Sequence, residues 1–186
     1  MNNNLPLVIE IKKNWLRLKH KGKVIKPHLY KVERLHIVNG VINPPSATYD
    51  DLVRYGVNSD PYGKILKKNH PVYKDMSLGG PAPKGVWNAF IKIRKNGQKR
   101  IELTERIPKK LISQADGRIT TSLGTVRTNI QIHTYSPVMG CIRFPEGKDN
   151  DYYVFLNYLE KIISEGQRFI VSIMDDFWTN QHLSSY

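Results

Sequence analysis

Trp87-Asn88-Ala89-Phe90-Ile91-Lys92-Ile93-Arg94, then Lys95-Asn96-Gly97-Gln98, then Lys99-Arg100-Ile101-Glu102-Leu103-Thr104, is the stretch on which the fold turns. Trp87, Ala89, Ile91 and Ile93 alternate with Asn88, Phe90, Lys92 and Arg94. That period of two places successive side chains on opposite faces of a strand. The Asn96-Gly97 pair supplies the positive φ that a tight turn needs, and Lys99 to Thr104 returns. The stretch predicts a β-hairpin.

The chain on either side extends the pattern. Leu7, Ile9 and Ile11 alternate with Val8, Glu10 and Lys12, and Leu16 and Leu18 alternate with Trp15, Arg17 and Lys19. Lys21-Gly22-Lys23 is a turn before Val24-Ile25. Leu35 to Ile42 is a further apolar run, interrupted at Asn39-Gly40. Downstream, Thr128 to His133 reads as one strand and Phe169 to Met174 as the last, with Phe169, Val171 and Ile173 on one face. Asp149 to Glu165 carries the convincing helical period: Phe155, Tyr158, Leu159, Ile162 and Ile163 fall at i, i+3, i+4, i+7 and i+8, and Gly166 ends it. Residues 43–84 hold Pro44, Pro45, Pro61, Pro71, Pro81 and Pro83, and read as irregular with one short helix around Tyr49–Tyr55. The expected fold is therefore mainly β: a twisted β-sandwich or partly closed barrel with one packed α-helix. Residues 1–186 form a single domain, divided into a β-rich part (1–42), an irregular Pro/Gly-rich edge or lid (43–84) and a core (85–175).

Composition bounds the function. The chain has 186 residues, 40% of them hydrophobic, which suits one globular domain. No run of about 18 apolar residues occurs, so no membrane-spanning helix is expected. Met1-Asn2-Asn3-Asn4-Leu5-Pro6 has no basic segment followed by an apolar one, so no signal peptide is read and synthesis in the cytoplasm is expected. One cysteine excludes an intrachain disulfide and a Cys-rich zinc site. No His/Asp/Glu cluster has metal-ligand spacing, Asp175-Asp176 reads as a solvated strand exit, and no cofactor is expected. The formal charge of +13 suits nucleic acid, an anionic membrane surface or an acidic polymer such as a bacterial wall.

Chemistry concentrates in Ile130-Gln131-Ile132-His133-Thr134-Tyr135-Ser136-Pro137-Val138-Met139-Gly140-Cys141-Ile142-Arg143-Phe144-Pro145. Asn129, Gln131 and His133 share the polar face of the expected strand, opposite Ile130 and Ile132. The loop that follows can bring Cys141 back to His133. A free thiol is mostly protonated at neutral pH, so an adjacent imidazole is what turns it into a nucleophile. Gly140 permits close backbone approach, and N–H groups around Gly140 and Cys141 can face a developing oxyanion. Arg143 shares a face with Cys141 in an extended chain, where it can bind a substrate carboxylate or favour the thiolate. The plainer readings stand beside these: an inert cysteine between apolar neighbours and a histidine at a strand end.

These residues resemble the catalytic domain of the L,D-transpeptidases (YkuD-like). Ile132-His133 is similar to the first part of that family's pattern and Gly140-Cys141-Ile142-Arg143 to the second. Gly80-Pro81-Ala82-Pro83-Lys84-Gly85-Val86-Trp87 is similar to a segment of the short-spaced branch that holds type VI secretion L,D-transpeptidase/carboxypeptidase effectors. The likeness covers roughly residues 78–174. Thr134, Val138 and Met139 depart from it.

The resemblance implies a cysteine-dependent acyl transfer on peptidoglycan stem peptides. Cys141 is the implied nucleophile and His133 the base. Gly140 and Met139 are implied at the oxyanion loop, and Arg143 and Ser136 at a substrate carboxylate or in support. It also implies a toxin delivered by a secretion machine to a target periplasm or wall, with an immunity protein or secretion-machine component as partner. The competing reading is a basic nucleic-acid-binding or wall-binding module without catalysis. Lys84, Lys92, Arg94, Lys95, Lys99, Arg100, Arg106, Lys109 and Lys110 flank the hairpin, with Trp87 and Phe90 among them. The plain expectation for those charges is a solvated hairpin.

Overall fold

The alternating runs do become strands, and one sheet takes up most of them. The computed structural model describes residues 5–34, 36–38, 41–43, 82–121, 124, 126–134, 141–145 and 147–174. The short helix expected at Tyr49–Tyr55, nearly all of the expected lid and Asp175-Asp176 lie outside them.

The strands are β1 (Leu7–Lys12), β2 (Trp15–His20), β3 (Lys23–Lys31), β4 (Glu33–Arg34), β5 (His36–Val38), β6 (Val41–Asn43), β7 (Gly85–Ile93), β8 (Lys99–Thr104), β9 (Ile112–Ser113), β10 (Arg118–Thr120), β11 (Val126–Thr128), β12 (Gln131–His133), β13 (Ile142–Arg143) and β14 (Phe169–Ile173). The helix is α1 (Asp149–Ser164). The main sheet runs β3-β2-β1-β14-β7-β8-β12-β13-β4, with β9 added beside β7. β1 pairs in parallel with β14, so the N-terminal strands belong to the same sheet as the C-terminal one.

The two ends of that order are neighbours in the chain: only Val32 separates β3 from β4. The sheet must curl until its edges meet at that corner, which makes a half-barrel. The concave face is apolar. Tyr30 of β3 and Phe144 just beyond β13 lie 5.3 Å apart by ring centroid, although their strands stand near opposite ends of the order. Both also meet Phe155 of α1, at 5.8 and 5.6 Å. The helix thus fills the hollow of the sheet.

α1 forms where the period of 3.6 predicts it. Tyr152, Phe155, Leu156, Leu159 and Ile162 are its buried residues, against Leu7, Ile9, Val171, Ile132 and Ile142 of the sheet core. Each such side chain contributes about 1.5–3 kcal/mol on full burial. Gly166, at φ +80, ends the helix in the left-handed conformation. There the N–H groups of Gly166 and Gln167 reach back to the carbonyls of Ile163 and Ile162.

Two sequence expectations change. The single strand expected over Thr128–His133 is two, because Asn129 takes φ +56 and turns the chain between them. β11 pairs with β10 in a separate ribbon, and β12 joins the main sheet. The charges flanking the hairpin are not all solvated either. Lys92 and Arg100 are buried, and Asp116-Gly117, between β9 and β10, lies over the convex side of β7 and β8 beside them. Among the described residues no helix is long and apolar enough to cross a membrane.

The helix packing is testable by truncation. Phe155→Ala should cost about 3–5 kcal/mol in denaturant unfolding, as expected for a fully buried ring, whereas Val154→Ala on the exposed face should stay within about 0.5 kcal/mol. Equal costs at the two positions would mean that α1 does not fill the sheet as described.

Candidate functional site

Strand register brings the two candidate catalytic residues to one surface. β12 and β13 are parallel, with Ile132 beside Ile142 and His133 beside Arg143. Ile132, Ile142 and Phe144 belong to the apolar core. Alternation therefore sends Gln131, His133, Cys141 and Arg143 together to the convex face. Cys141, one residue before β13, meets the Gln131 backbone N–H, two residues back along β12 from His133.

Each of the two groups is held by backbone. The His133 ring is buried, with Nδ1 3.1 Å from the Thr134 carbonyl oxygen. A carbonyl only accepts, so Nδ1 carries the hydrogen, and in the neutral ring Nε2 holds the lone pair. The Cys141 thiol donates to the Asn129 carbonyl at 3.4 Å. The left-handed turn at Asn129 is what aims that carbonyl at the sulfur. Neither of these hydrogen bonds joins the thiol to the imidazole.

Cys141 is half-buried, and burial pushes its thiol above the ordinary value. The Gln131 backbone N–H and the Arg100 and Arg127 guanidinium groups act in the opposite direction, and the Glu102 carboxylate adds to the rise. Burial wins, so the resting sulfur is the thiol rather than the thiolate.

A polar network under the Asp116-Gly117 stretch between β9 and β10 surrounds this point. Glu102 has no solvent exposure. It accepts from Gln131 Nε2 at 2.7 Å and from the Gly117 backbone N–H at 2.5 Å, and pairs with Lys92 Nζ at 3.2 Å. Lys92 also reaches Asp116, and Asn129 Oδ1 at 3.0 Å. Arg100 donates to Gln131 Oε1 at 3.1 Å and to Gln98 Oε1 at 3.2 Å. Gly117 must be glycine for this packing, since a Cβ there would lie 2.2 Å from the Leu103 carbonyl oxygen. From sequence, Lys92 and Arg100 belong to the nucleic-acid-binding reading of the hairpin, and Glu102, Asp116, Gly117 and Gln98 to no candidate site. The available signal was Lys92, Arg100 and Glu102 alternating with apolar residues in strands buried on both faces.

Arg143 lies at the other margin. Its Nε and a terminal nitrogen both bond one oxygen of Glu33, at 2.8 and 2.5 Å. This ties β13 to β4 at the closing corner of the sheet. The cations that act on the thiol are Arg100 and Arg127. Ser136, Met139 and Gly140 lie outside the described residues.

His133 also borders a groove of about 390 Å³ between the hairpin turn and α1. Thr134, Arg100, Tyr153, Asn157 and Glu160 are among its walls; Cys141 is not. The Thr134 hydroxyl donates to Asp149 at the start of α1, and the Tyr152 hydroxyl to the Lys99 carbonyl at 2.8 Å. The first bond fixes the end of β12 against the helix, and the second fixes the start of β8. Among the described residues no three His, Cys, Asp or Glu side chains converge as a metal site would. Comparison with known proteins gives no match of this chain to a family model, a curated protein or a solved structure.

Two measurements follow from this geometry. Alkylation of Cys141, the only thiol, should be slow at pH 7 and should climb through and beyond the ordinary thiol range, because the raised pKa delays the thiolate. Half-maximal reactivity near neutrality would contradict the desolvated sulfur. Glu102→Gln should cost about 3 kcal/mol or more in stability, because it strips Lys92 and Gln131 of a buried carboxylate. A neutral result would show that the network does not hold this face together.

Proposed function

We propose that this protein is a cysteine acyl-transfer enzyme of the L,D-transpeptidase or L,D-carboxypeptidase kind, acting on peptidoglycan stem peptides. The observation that supports the reading is the β12–β13 register: alternation from it turns Cys141, one residue before β13, to the same face as His133, and Arg100 and Arg127 act on the thiol. The Gly140-Cys141-Ile142-Arg143 and Ile132-His133 likeness described above supports the substrate class. The charge of +13 supports a polymer rich in carboxylates.

The chemistry starts from a neutral pair. With the Cys141 proton in place and a lone pair on His133 Nε2, proton transfer accompanies attack instead of preceding it. The sulfur adds to the carbonyl carbon of a diamino-acid residue while its proton passes to the imidazole. Collapse of the tetrahedral species breaks the C–N bond, and the leaving D-alanine takes the proton from His133. A thioester results. An acceptor amine then gives its proton to His133 and attacks the thioester, giving a cross-link or an exchanged D-amino acid; water gives carboxypeptidase activity. The C–S bond breaks and the thiol recovers its proton. Arg100 and Arg127 favour the developing charge on sulfur, which is worth most in a desolvated setting.

A secreted antibacterial effector is the biological role that this reading favours. The purified protein should release D-alanine from muropeptides. Cys141→Ala should abolish release, and His133→Gln should lower it about 10²–10⁴-fold. Expression should be toxic when the protein is directed to the periplasm and harmless in the cytoplasm. If Cys141→Ala is equally toxic there, or releases D-alanine as the parent does, the assignment falls.

A further inference from the structure

The convex face that carries Cys141 continues round the closing corner of the sheet onto a second patch. Val32, the one residue between β3 and β4, is buried in the apolar core. Lys31 and Glu33 on either side of it therefore both face outward. Lys31 pairs with Trp15 across β2 and β3, and Glu33 pairs with Arg143 across β4 and β13. Trp15, Lys31, Glu33, Arg143 and Cys141 thus form a continuous outward path of no more than about 25 Å.

The patch at the far end is apolar and cationic together. Trp15 is 51% and Leu29 56% exposed. Register places Lys12 and Lys31 on either side of Trp15, and Arg17 beside Leu29. Among the described residues neither Lys12 nor Lys31 meets a carboxylate, whereas Arg17 and Lys19 share Glu10. An exposed indole face flanked by ammonium groups suits the apolar face of a sugar ring whose polymer also carries carboxylates.

Two other occupants fit less well. Sequence-independent binding of single-stranded nucleic acid uses several stacking aromatics in a row, and here one ring stands among aliphatic side chains. Pairing with a second copy through the β3 edge is opposed by Lys23, Lys26 and Lys31 and by Pro27, which removes a backbone donor.

We propose that the patch around Trp15, Leu29, Lys12 and Lys31 docks the glycan strand of peptidoglycan and presents its stem peptides to Cys141. This rests on the acyl-transfer reading and adds a polymer-binding surface remote from the thiol. Four peptide residues extend at most about 14 Å, so a free stem tetrapeptide bound at Cys141 need not touch Trp15.

The test uses the full chain and its Trp15→Ala and Lys12→Glu/Lys31→Glu variants, each checked to melt near the parent's temperature. Co-sedimentation with purified sacculi should fall at least 5-fold for both variants. Turnover of sacculi should fall in proportion, and turnover of free tetrapeptide should stay within 2-fold of the parent. Unchanged co-sedimentation of the folded variants overturns the proposal. So does a loss confined to binding of a single-stranded oligonucleotide, or a loss confined to self-association in sedimentation velocity. If the variants lose sacculi while the parent turns over neither substrate, the docking surface stands and the acyl-transfer reading fails.

Discussion

A carboxylate with no access to water organises the convex side of this protein. Glu102 is fully buried, and an uncompensated charge in that position would be too costly to keep. Its oxygens are answered by the Gln131 amide, the Gly117 N–H and the Lys92 ammonium. Each answer has a structural consequence. Gln131 is fixed in β12, where its backbone N–H meets Cys141. Gly117 is drawn so close to the backbone of β8 that no side chain fits. Lys92 is held under Asp116, which brings the Asp116-Gly117 stretch between β9 and β10 down over the hairpin. The candidate site is one margin of this arrangement, and the concave, helix-filled face supplies the apolar burial that holds the sheet rigid beneath it.

The same network sets the state of the thiol. Arg100 and Arg127 draw it towards the anion, while burial and Glu102 keep it protonated. A cysteine held in this way is slow towards bulk reagents, and in the proposed acyl transfer a base must remove its proton during attack. The His133 ring suits that part, since its hydrogen bond to Thr134 leaves the lone pair on Nε2. The hydrogen bond from the Thr134 hydroxyl to Asp149 ties the same strand end to the start of α1. Helix packing and ring placement are therefore coupled through adjacent residues.

Local patterns were the legible part of the sequence. Period two gave away β1, β2, β7, β8 and β14, Asn96-Gly97 the hairpin turn, and period 3.6 with Gly166 the helix, because each depends on neighbours along the chain. Long-range pairing was not legible. Nothing local tells Leu7–Lys12 to lie parallel to Phe169–Ile173, or tells β4 to close against β13. Asn129 was read as a strand residue because its composition permits one; the left-handed turn is imposed by the separate course of the β10–β11 ribbon. Lys92 and Arg100 were expected in water because lysine and arginine usually are, and only the cover above β7 and β8, with Glu102 beneath it, shows why they are not. For the candidate site, alternation gave the polar face of His133, whereas the parallel pairing that relates it to Cys141 is long-range, and the cations around the sulfur come from β8 (Arg100) and β11 (Arg127) and have no local signature.

The most direct test is intact-protein mass spectrometry after brief incubation with a tetrapeptide stem carrying a C-terminal D-amino acid. The account predicts a covalent adduct with the mass of the stem minus that amino acid, located to the peptide containing Cys141 and released by hydroxylamine as a thioester. Release of the D-amino acid with no adduct at Cys141, or with the adduct on another residue, would contradict it.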